Sequence, residues 1–365
     1  MTAIVITGMA SLDPGPATTP AELPLRVHRV EPFDPEAMFG RRVARFKHRS
    51  TLLAMAACDA ALADAGLKVT DDNRDAIGIT MGTTTGSVSG ITEFGMSSFD
   101  AARPFVVNAG RFPNMGLNAA AAAAAIHLRA KGANTTVVGG PLAGVGALRH
   151  AEITLRAEHA DMMLAGASEE VSGPAVWWAG SVRATAAAGE GAAVFVLERR
   201  ESAEAAGRTP IARLGATAVR AVDPADATEL AEAVSQTLAA AGIDPAAVGL
   251  VAVRATGVAA VDRAQRTALE GLFTAPLLWS EDDMGDCYSA HSALQMARVI
   301  AHVTRQDAAG AAAGGPGQSG TAERAGLVVA VDPDGAVGVA VVATAHDDAV
   351  VPATTELSIK ELIHE

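Results

Sequence analysis

The chain has 365 residues, half of them apolar, and a formal net charge of −13. This length suffices for two domains or one large two-part domain, and the negative charge argues against general nucleic-acid binding, which relies on positive surface. Only Cys58 and Cys287 are present, which argues against a disulfide framework and favours a reducing compartment.

The apolar stretches of the chain predict a protein of the cytoplasm. Residues 1–8, MTAIVITG, lack the basic region that opens a signal peptide and are typical of a first strand. The longest apolar stretch, Ala119–Ile126, is too short to span a bilayer. We therefore expect a soluble, cytoplasmic chain.

Strand-like and helix-like segments alternate along the sequence, first in one half and then again in the other. The predicted strands of the first half are Thr2–Thr7, Ala76–Met81, Thr135–Val138, Asp161–Leu164 and Ala192–Glu198, and its helices are Ser50–Ala65, Asn118–Ala130 and Val145–Glu158. The predicted strands of the second half are Ile211–Val222, Val248–Val253, Leu277–Trp279, Gly326–Val331 and Ala336–Thr344, and its helices are Pro224–Ala241, Asp262–Leu272 and His291–Thr304. The pattern changes over near Gly207, which predicts an α/β protein with halves 1–207 and 208–346.

Two segments lie outside this alternation. Residues 308–320, AAGAAAGGPGQSG, have almost no side chain to pack and predict a flexible surface insertion. Residues 347–365 form a tail to which the sequence assigns no role.

The segment from Gly132 to Gly144, GANTTVVGGPLAG, predicts a strand that ends in a glycine-rich elbow and opens a helix. Such a junction can hold a nucleophile, with backbone N–H groups at the helix N-terminus ready to receive an oxyanion. Taken alone, the segment also fits an ordinary turn between a strand and a helix. It resembles the nucleophile elbow of β-ketoacyl synthases, G-P-N…T-A-C-A-x-G, and the match places Pro141 at the family's acylated cysteine.

Three further segments resemble motifs of the same family, in the same order. They are Arg41–Phe46 with the helix ending at Gly66 (R-R/K-M-D-x-F and D-A-G-L), Gly189–Glu198 (G-E-G-A-x-x-x-V-L-E) and Arg254–Asp262 (H-G-T-G-T-x-x-x-D). The resemblance runs from about Thr2 to Thr344. It implies a thiolase-like fold: two pseudo-repeated α/β halves in an αβαβα layered sandwich, with Ala119–Ala125 in a helix buried between two sheets.

The resemblance also identifies what is missing. A condensing enzyme needs a thiolate nucleophile and two imidazoles, and the family's Cys, His and His positions here hold Pro141, Arg254 and Asp286. Proline has no nucleophilic atom, arginine does not exchange protons near neutral pH, and an aspartate anion would repel an enolate. We therefore expect that this chain catalyses no condensation and that it has no catalytic residues.

Basic residues are concentrated in one turn-and-helix region of this acidic protein. Arg41, Arg42, Arg45, Lys47 and Arg49 are typical either of a solvated helix face or of a docking patch for an acidic partner. The resemblance implies contact with acyl carrier protein, for which we select Arg41, Arg42 and Arg45.

Synthase-like chains without the cysteine are known as chain-length factors, which pair with a ketosynthase in type II polyketide synthases and help to shape the elongation tunnel. Residues 103–118 resemble their S-P-F…F-P-N region near the dimer seam, which implies tunnel or interface roles for Phe105, Phe112 and Met115. Core packing is the alternative for each side chain. The chain departs from the pattern because typical members have Gln where Pro141 stands, and because it is shorter between Ser172 and Gly189.

Two other functions remain open at this point. Cys287 and His291, four residues apart and on one face if helical, suggest a thiolase-fold acyltransferase or hydrolase, and a homodimeric scaffold that binds carrier protein needs neither residue. We expect Glu169 and Glu170 to be structural because adjacent side chains point apart. No metal-ligand spacing and no cofactor motif is present, so we expect no metal and no cofactor.

Overall fold

The computed structural model of the protein describes residues 2–100, 103, 105–107, 109–182, 185, 187–313 and 324–345. Its strands are β1 (Ile4–Leu12), β2 (Arg26–His28), β3 (Ile77–Thr83), β4 (Asn134–Val138), β5 (Met162–Glu169), β6 (Ala187–Gly189), β7 (Gly191–Arg199), β8 (Ala212–Ala221), β9 (Val248–Val253), β10 (Leu277–Trp279), β11 (Ala325–Asp332) and β12 (Ala336–Ala343). Its α-helices are α1 (Pro35–Phe39), α2 (Arg41–Phe46), α3 (Arg49–Asp64), α4 (Val88–Asp100), α5 (Ala119–Leu128), α6 (Ala143–Arg156), α7 (Gly173–Val182), α8 (Arg200–Ala205), α9 (Ala227–Ala241), α10 (Ala259–Leu272), α11 (Glu281–Met284) and α12 (His291–Ala313).

The strands repeat one topology twice. The order β4-β3-β5-β7-β1 in the first half matches β10-β9-β11-β12-β8 in the second, and in both sets three parallel strands are followed by two antiparallel ones. A short antiparallel pairing of β1 with β8, from Ile4 opposite Leu214 to Ile6 opposite Ala212, joins the two sets by hydrogen bonds into one ten-stranded sheet. The predicted pseudo-repeat is confirmed.

Helices cover both faces of each set of strands, which gives the αβαβα layers. Helices α6 and α12 contact strands of both halves and each other, and their Leu148 and Leu294 share one buried cluster with Phe195 of β7 and Val328 of β11. Helices α3 and α5 form the outer layer of the first half, and α9 and α10 that of the second. Because the strands are buried on both faces, their sequences are nearly continuous apolar runs such as Leu327–Val331.

The alanine-rich helix α5 lies in a different layer from the one expected. It packs on α3, β3 and β4 in the outer layer of the first half, and Ile126 on it is 77% exposed. Its small residues instead let it approach α3, whose Ala54, Ala57 and Ala61 are fully buried. The helices between the two sets of strands are α6 and α12, so the expectation for Ala119–Ala125 is wrong.

Helix α12 is longer than the sequence predicts. It continues to Ala313, through the first part of the segment that we expected to be a flexible insertion, because alanine favours helix in the absence of packing. The tail 347–365 lies outside the described residues. None of the described helices combines the length and the apolar character needed to cross a membrane.

Candidate functional site

The glycine-rich elbow lies between β4 and α6. A 3₁₀ turn, Gly140–Leu142, follows Gly139, and α6 begins directly after it. Gly140 has a φ of +52°, a backbone conformation that favours glycine. Gly144 packs against the first turn of α12, where an added Cβ would stand 2.6 Å from the Ser292 hydroxyl and 2.8 Å from the Ala293 nitrogen. The glycines of the motif therefore fix the turn and the close approach of two helices.

Pro141 occupies the middle of this turn and is buried. Its ring nitrogen carries no hydrogen, so it offers neither a nucleophile nor a donor to an oxyanion. The turn therefore carries no nucleophile at Pro141, the position that the sequence resemblance assigns to the family's cysteine.

Arg254 and Asp286, the two positions that the sequence resemblance assigns to the family's histidines, form an ion pair. Arg254 follows β9, and Asp286 lies between α11 and the 3₁₀ turn Tyr288–Ala290. The guanidinium donates through Nε to Asp286 Oδ1 at 3.1 Å and through a terminal nitrogen to Oδ2 at 2.9 Å, and both side chains are 4% exposed. This two-pronged geometry is the strong form of the Arg–carboxylate contact. The carboxylate expected at Asp286 is therefore paired with a guanidinium, a contact that the sequence does not indicate.

Tyr288 connects this ion pair to the elbow. Its backbone N–H donates to Asp286 Oδ1 at 3.0 Å, and the Arg254 guanidinium carbon lies 5.5 Å from the centre of its ring. The ring meets Trp178 edge to face at 6.1 Å, and the hydroxyl comes within 3.3 Å of the point where a Cβ on Gly140 would stand. The sequence prediction did not include this residue, although it is the chain's single tyrosine and stands two positions after Asp286.

Cys287 and His291 do not form a nucleophile and base on one helical face. A 3₁₀ turn separates Cys287 from α12, and both side chains are fully buried. The Cys287 thiol donates to the Met284 carbonyl oxygen at 3.3 Å, whereas His291 Nε2 lies 3.3 Å from the Ser280 hydroxyl. Burial raises the pKa of the Cys287 thiol well above its usual value and lowers the pKa of His291 to about 3. A neutral buried thiol and a non-basic imidazole are poor catalysts.

The adjacent carboxylates Glu169 and Glu170 are anchors with different partners. Glu169 accepts from the Ser289 hydroxyl at 2.8 Å, and so holds the turn that carries Tyr288. Glu170 is 3% exposed and accepts hydrogen bonds from Ser87 and Ser89, among other donors. These contacts account for both carboxylates without a role in acid–base chemistry.

The basic residues near the N-terminus divide into two groups. Arg41, Arg42 and Arg45 are exposed on α2. Arg49 instead makes an ion pair with the fully buried Glu190, and Lys47 donates to Asn114 Oδ1 at 2.9 Å. Only the first group presents its charge to solvent.

The three residues selected for the tunnel or interface lie at or near the surface. Phe105 is 77% exposed, Phe112 is 64% exposed, and Met115 is half-buried. Phe112 meets Phe94 of α4 edge to face at 6.0 Å between ring centres. Core packing therefore does not explain Phe105 or Phe112.

Comparisons with known proteins agree with this architecture. The family model "Beta-ketoacyl synthase, N-terminal domain" matches residues 9–188. A chain of the ishigamide ketosynthase/chain length factor is 31% identical, with a TM-score of 0.79 over 93% of this chain and 99% of that chain. This chain belongs to the β-ketoacyl synthase family. Its fold is the thiolase-like fold of ketosynthases, as the sequence resemblance implies.

Two further solved structures share the fold at lower identity. A β-ketoacyl synthase from Burkholderia phymatum STM815 is 22% identical, with a TM-score of 0.79 over 95% of this chain and 100% of that chain. A chain from AntDE:AntF, described as a type II PKS acyl-carrier protein in complex with its ketosynthase bound to the hexaketide, is 17% identical, with a TM-score of 0.76 over 94% and 99%. Within the part of the chain that the structure describes, no group of three or more His, Cys, Asp or Glu side chains could hold a metal ion.

Proposed function

We propose that this chain is a noncatalytic subunit of the chain-length-factor type, which pairs with a ketosynthase in a type II polyketide synthase and helps to shape the elongation tunnel. The observation that carries the proposal is the buried ion pair of Arg254 and Asp286, which stand at the two positions that the sequence resemblance assigns to the family's histidines, together with the proline at the position assigned to the cysteine. Pro141 is buried, and Arg254 and Asp286 neutralise each other through two hydrogen bonds. The similarity to the ishigamide ketosynthase/chain length factor over nearly the whole chain supports this class.

The outer edge of the first half supports a partner subunit. Strand β4 is the last strand of the order and has β3 as its neighbour, and Val138 at its end is 53% exposed. The preceding elements expose further large apolar side chains: Phe99 at 80%, Phe105 at 77%, Phe112 at 64% and Ile126 at 77%. Exposed apolar surface and an open strand edge both favour covering by another protein. We assign this partner surface (Phe99, Phe105, Phe112, Ile126 and Val138) to the ketosynthase.

The exposed arginines of α2 supply a docking patch for acyl carrier protein. Arg41, Arg42 and Arg45 concentrate positive charge on a protein whose net charge is −13, and carrier proteins of these systems are acidic. Opposed charge raises the association rate and fixes orientation.

The proposed division at residues 207/208 falls between α8 and β8 and separates the half that carries both surfaces from the other half.

The acyltransferase alternative, with Cys287 as nucleophile and His291 as base, is not favoured. Both side chains are fully buried and engaged with different partners, and burial moves the pKa of each in the direction that disfavours its charged form. No observation favours the homodimeric scaffold over the heterodimer.

Co-expression with a ketosynthase that is encoded by an adjacent gene and keeps its cysteine and two histidines tests the proposal. We expect a 1:1 complex in size-exclusion chromatography with mass spectrometry. Ile126→Glu combined with Val138→Lys should abolish co-elution, while the matched control Val219→Lys, at a 42% exposed valine of β8, should not. A stable homodimer that ignores the ketosynthase, or a complex insensitive to the double substitution, would contradict the proposal.

A further inference from the structure

The side chain of Tyr288 stands over the turn that contains Pro141. Its hydroxyl oxygen and adjacent ring carbon lie 3.3 and 3.6 Å from the point where a Cβ on Gly140 would stand, with an oxygen of Asp332 also 3.6 Å from that point. The 3₁₀ turn that carries Tyr288 packs on the elbow turn, in which Pro141 is buried. The tyrosine therefore lies against Gly140, the residue directly before the position that the sequence resemblance assigns to the family's nucleophile.

The ring is held in place from three sides. Trp178 meets it edge to face, the Arg254 guanidinium lies 5.5 Å from its centre, and Asp286 accepts a hydrogen bond from its backbone nitrogen. The buried ion pair thus has a second consequence besides charge neutralisation, because both of its members contact Tyr288. A cation near an aromatic ring and an edge-to-face ring pair both favour a fixed ring orientation.

The backbone of Tyr288 adopts a conformation that side chains rarely take. Its φ is +40°, whereas the other positions with positive φ are mostly glycines. A bulky residue in this region persists only where the surroundings hold it, and such positions concentrate at functional sites. Glycine, which has no Cβ, would relieve this strain but would leave the elbow uncovered.

A depression lined in part by Trp178 lies near this contact. The residues that line this depression include Thr85, Glu169, Trp178 and Gly189. Its lining in the described part of the chain includes neither Gly140 nor Pro141. Trp178 lines the depression and also contacts Tyr288, so it links the two.

We infer that Tyr288 is a plug that excludes an acyl–pantetheine thioester arm from the elbow of this subunit. The inference rests on the proposed function, in which the growing chain belongs in the partner's site. Loss of the cysteine alone would leave a cleft that competes for the thioester arm without reacting with it. The plug removes that cleft, so that a carrier protein docked on this subunit has no second place for its arm.

A thiol introduced by Pro141→Cys reports directly on access to the elbow. The native Cys58 and Cys287 are fully buried and their thiol pKa values are raised, so we expect them to react very slowly with an alkylating reagent. The chain is treated with chloroacetyl-pantetheine amide in three forms: Pro141→Cys alone, with Tyr288→Gly, and with Tyr288→Phe. We expect slow alkylation in the first and third forms and at least a tenfold faster rate with Tyr288→Gly, because the ring rather than the hydroxyl fills the space. Equal rates in all three forms would overturn the inference.

A second measurement does not depend on the cysteine variant. In a chain with Trp177→Phe and Trp279→Phe, the remaining indole of Trp178 borders Tyr288. Acrylamide should quench its fluorescence more strongly after Tyr288→Gly but not after Tyr288→Phe, with melting curves as the control for folding. Unchanged quenching in the glycine variant would likewise reject the plug. Neither measurement involves a ketosynthase, so a failure here is distinguishable from a failure to form the heterodimer.

Discussion

The buried pair of Arg254 and Asp286 gives the most quantitative prediction. Removing one partner of a buried ion pair leaves an uncompensated charge and costs about 3–5 kcal/mol of folding free energy. We expect a loss of that order for Arg254→Met, which leaves the carboxylate, and for Asp286→Asn, which leaves the guanidinium.

The double variant should cost far less than the sum of the two single variants. Methionine fills much of the arginine volume, and the asparagine oxygen still accepts from the Tyr288 nitrogen, so only the asparagine amide loses a partner, at about 1–3 kcal/mol. The coupling free energy in the double-mutant cycle is then at least about 3 kcal/mol.

Urea denaturation at pH 7.5 measures this cycle through the transition midpoints of the four proteins. The matched control is the exposed pair Arg266 and Glu270, 3.5 Å apart, for which Arg266→Met and Glu270→Gln should couple by no more than about 0.5 kcal/mol. Single variants that each cost under about 1 kcal/mol and simply add would refute the reasoning, because the two charges would then not be paired and buried in the folded protein.

Three further predictions concern docking, product length and pH. Arg41→Glu with Arg42→Glu should slow association with acyl carrier protein at low salt by at least tenfold, since exposed charges act mainly on the association rate. Phe112→Ala should lengthen the products of the reconstituted complex while its melting temperature changes little, because the ring is 64% exposed. The pKa of His291 is lowered by burial to about 3, below its unfolded value near 6.5, so the unfolded state takes up the proton first and stability falls as pH decreases below about 6.5. His291→Leu should flatten that loss between pH 7 and pH 5.

Each of these three has its own control and contradiction. The control for docking is Arg220→Glu with Arg263→Glu, at exposed arginines of the other half, which should leave the rate of carrier association almost unchanged. If both pairs of substitutions slow association equally, the effect comes from the net charge of the protein and not from a docking patch. A large loss of stability by Phe112→Ala with unaltered products would assign that ring to packing. If the original protein and the His291→Leu variant lose the same stability between pH 7 and pH 5, protonation of His291 does not contribute to the acid-induced loss.

Much of the fold was predictable because the strand and helix patterns are strong. The apolar run of β9 was predicted with its observed ends, Val248–Val253, since a strand buried on both faces is apolar throughout. Ends set by a local hydrogen bond were predicted less well. Helix α9 begins at Ala227 rather than at Pro224, because the Asp226 carboxylate accepts from the nitrogens of Thr228 and Glu229.

Layer assignment and pairing were harder to predict, because both depend on contacts between distant parts of the chain. The composition of α5 fits a buried helix in any layer, so the sequence could not place it outside β3 and β4. The pairing of Arg254 with Asp286 spans 32 residues, and neither motif alone indicates it. The same is true of Arg49, whose partner Glu190 lies 141 residues away.

The central claim is that this chain carries no acyl group and that its partner does. Intact-mass spectrometry of the reconstituted heterodimer, after incubation with acylated carrier protein, tests it most directly. We expect one acyl adduct per complex, located on the ketosynthase, and no mass change on this chain with or without the partner. A stoichiometric adduct on this chain, above all on Cys287, would contradict the account and establish it as an acyltransferase.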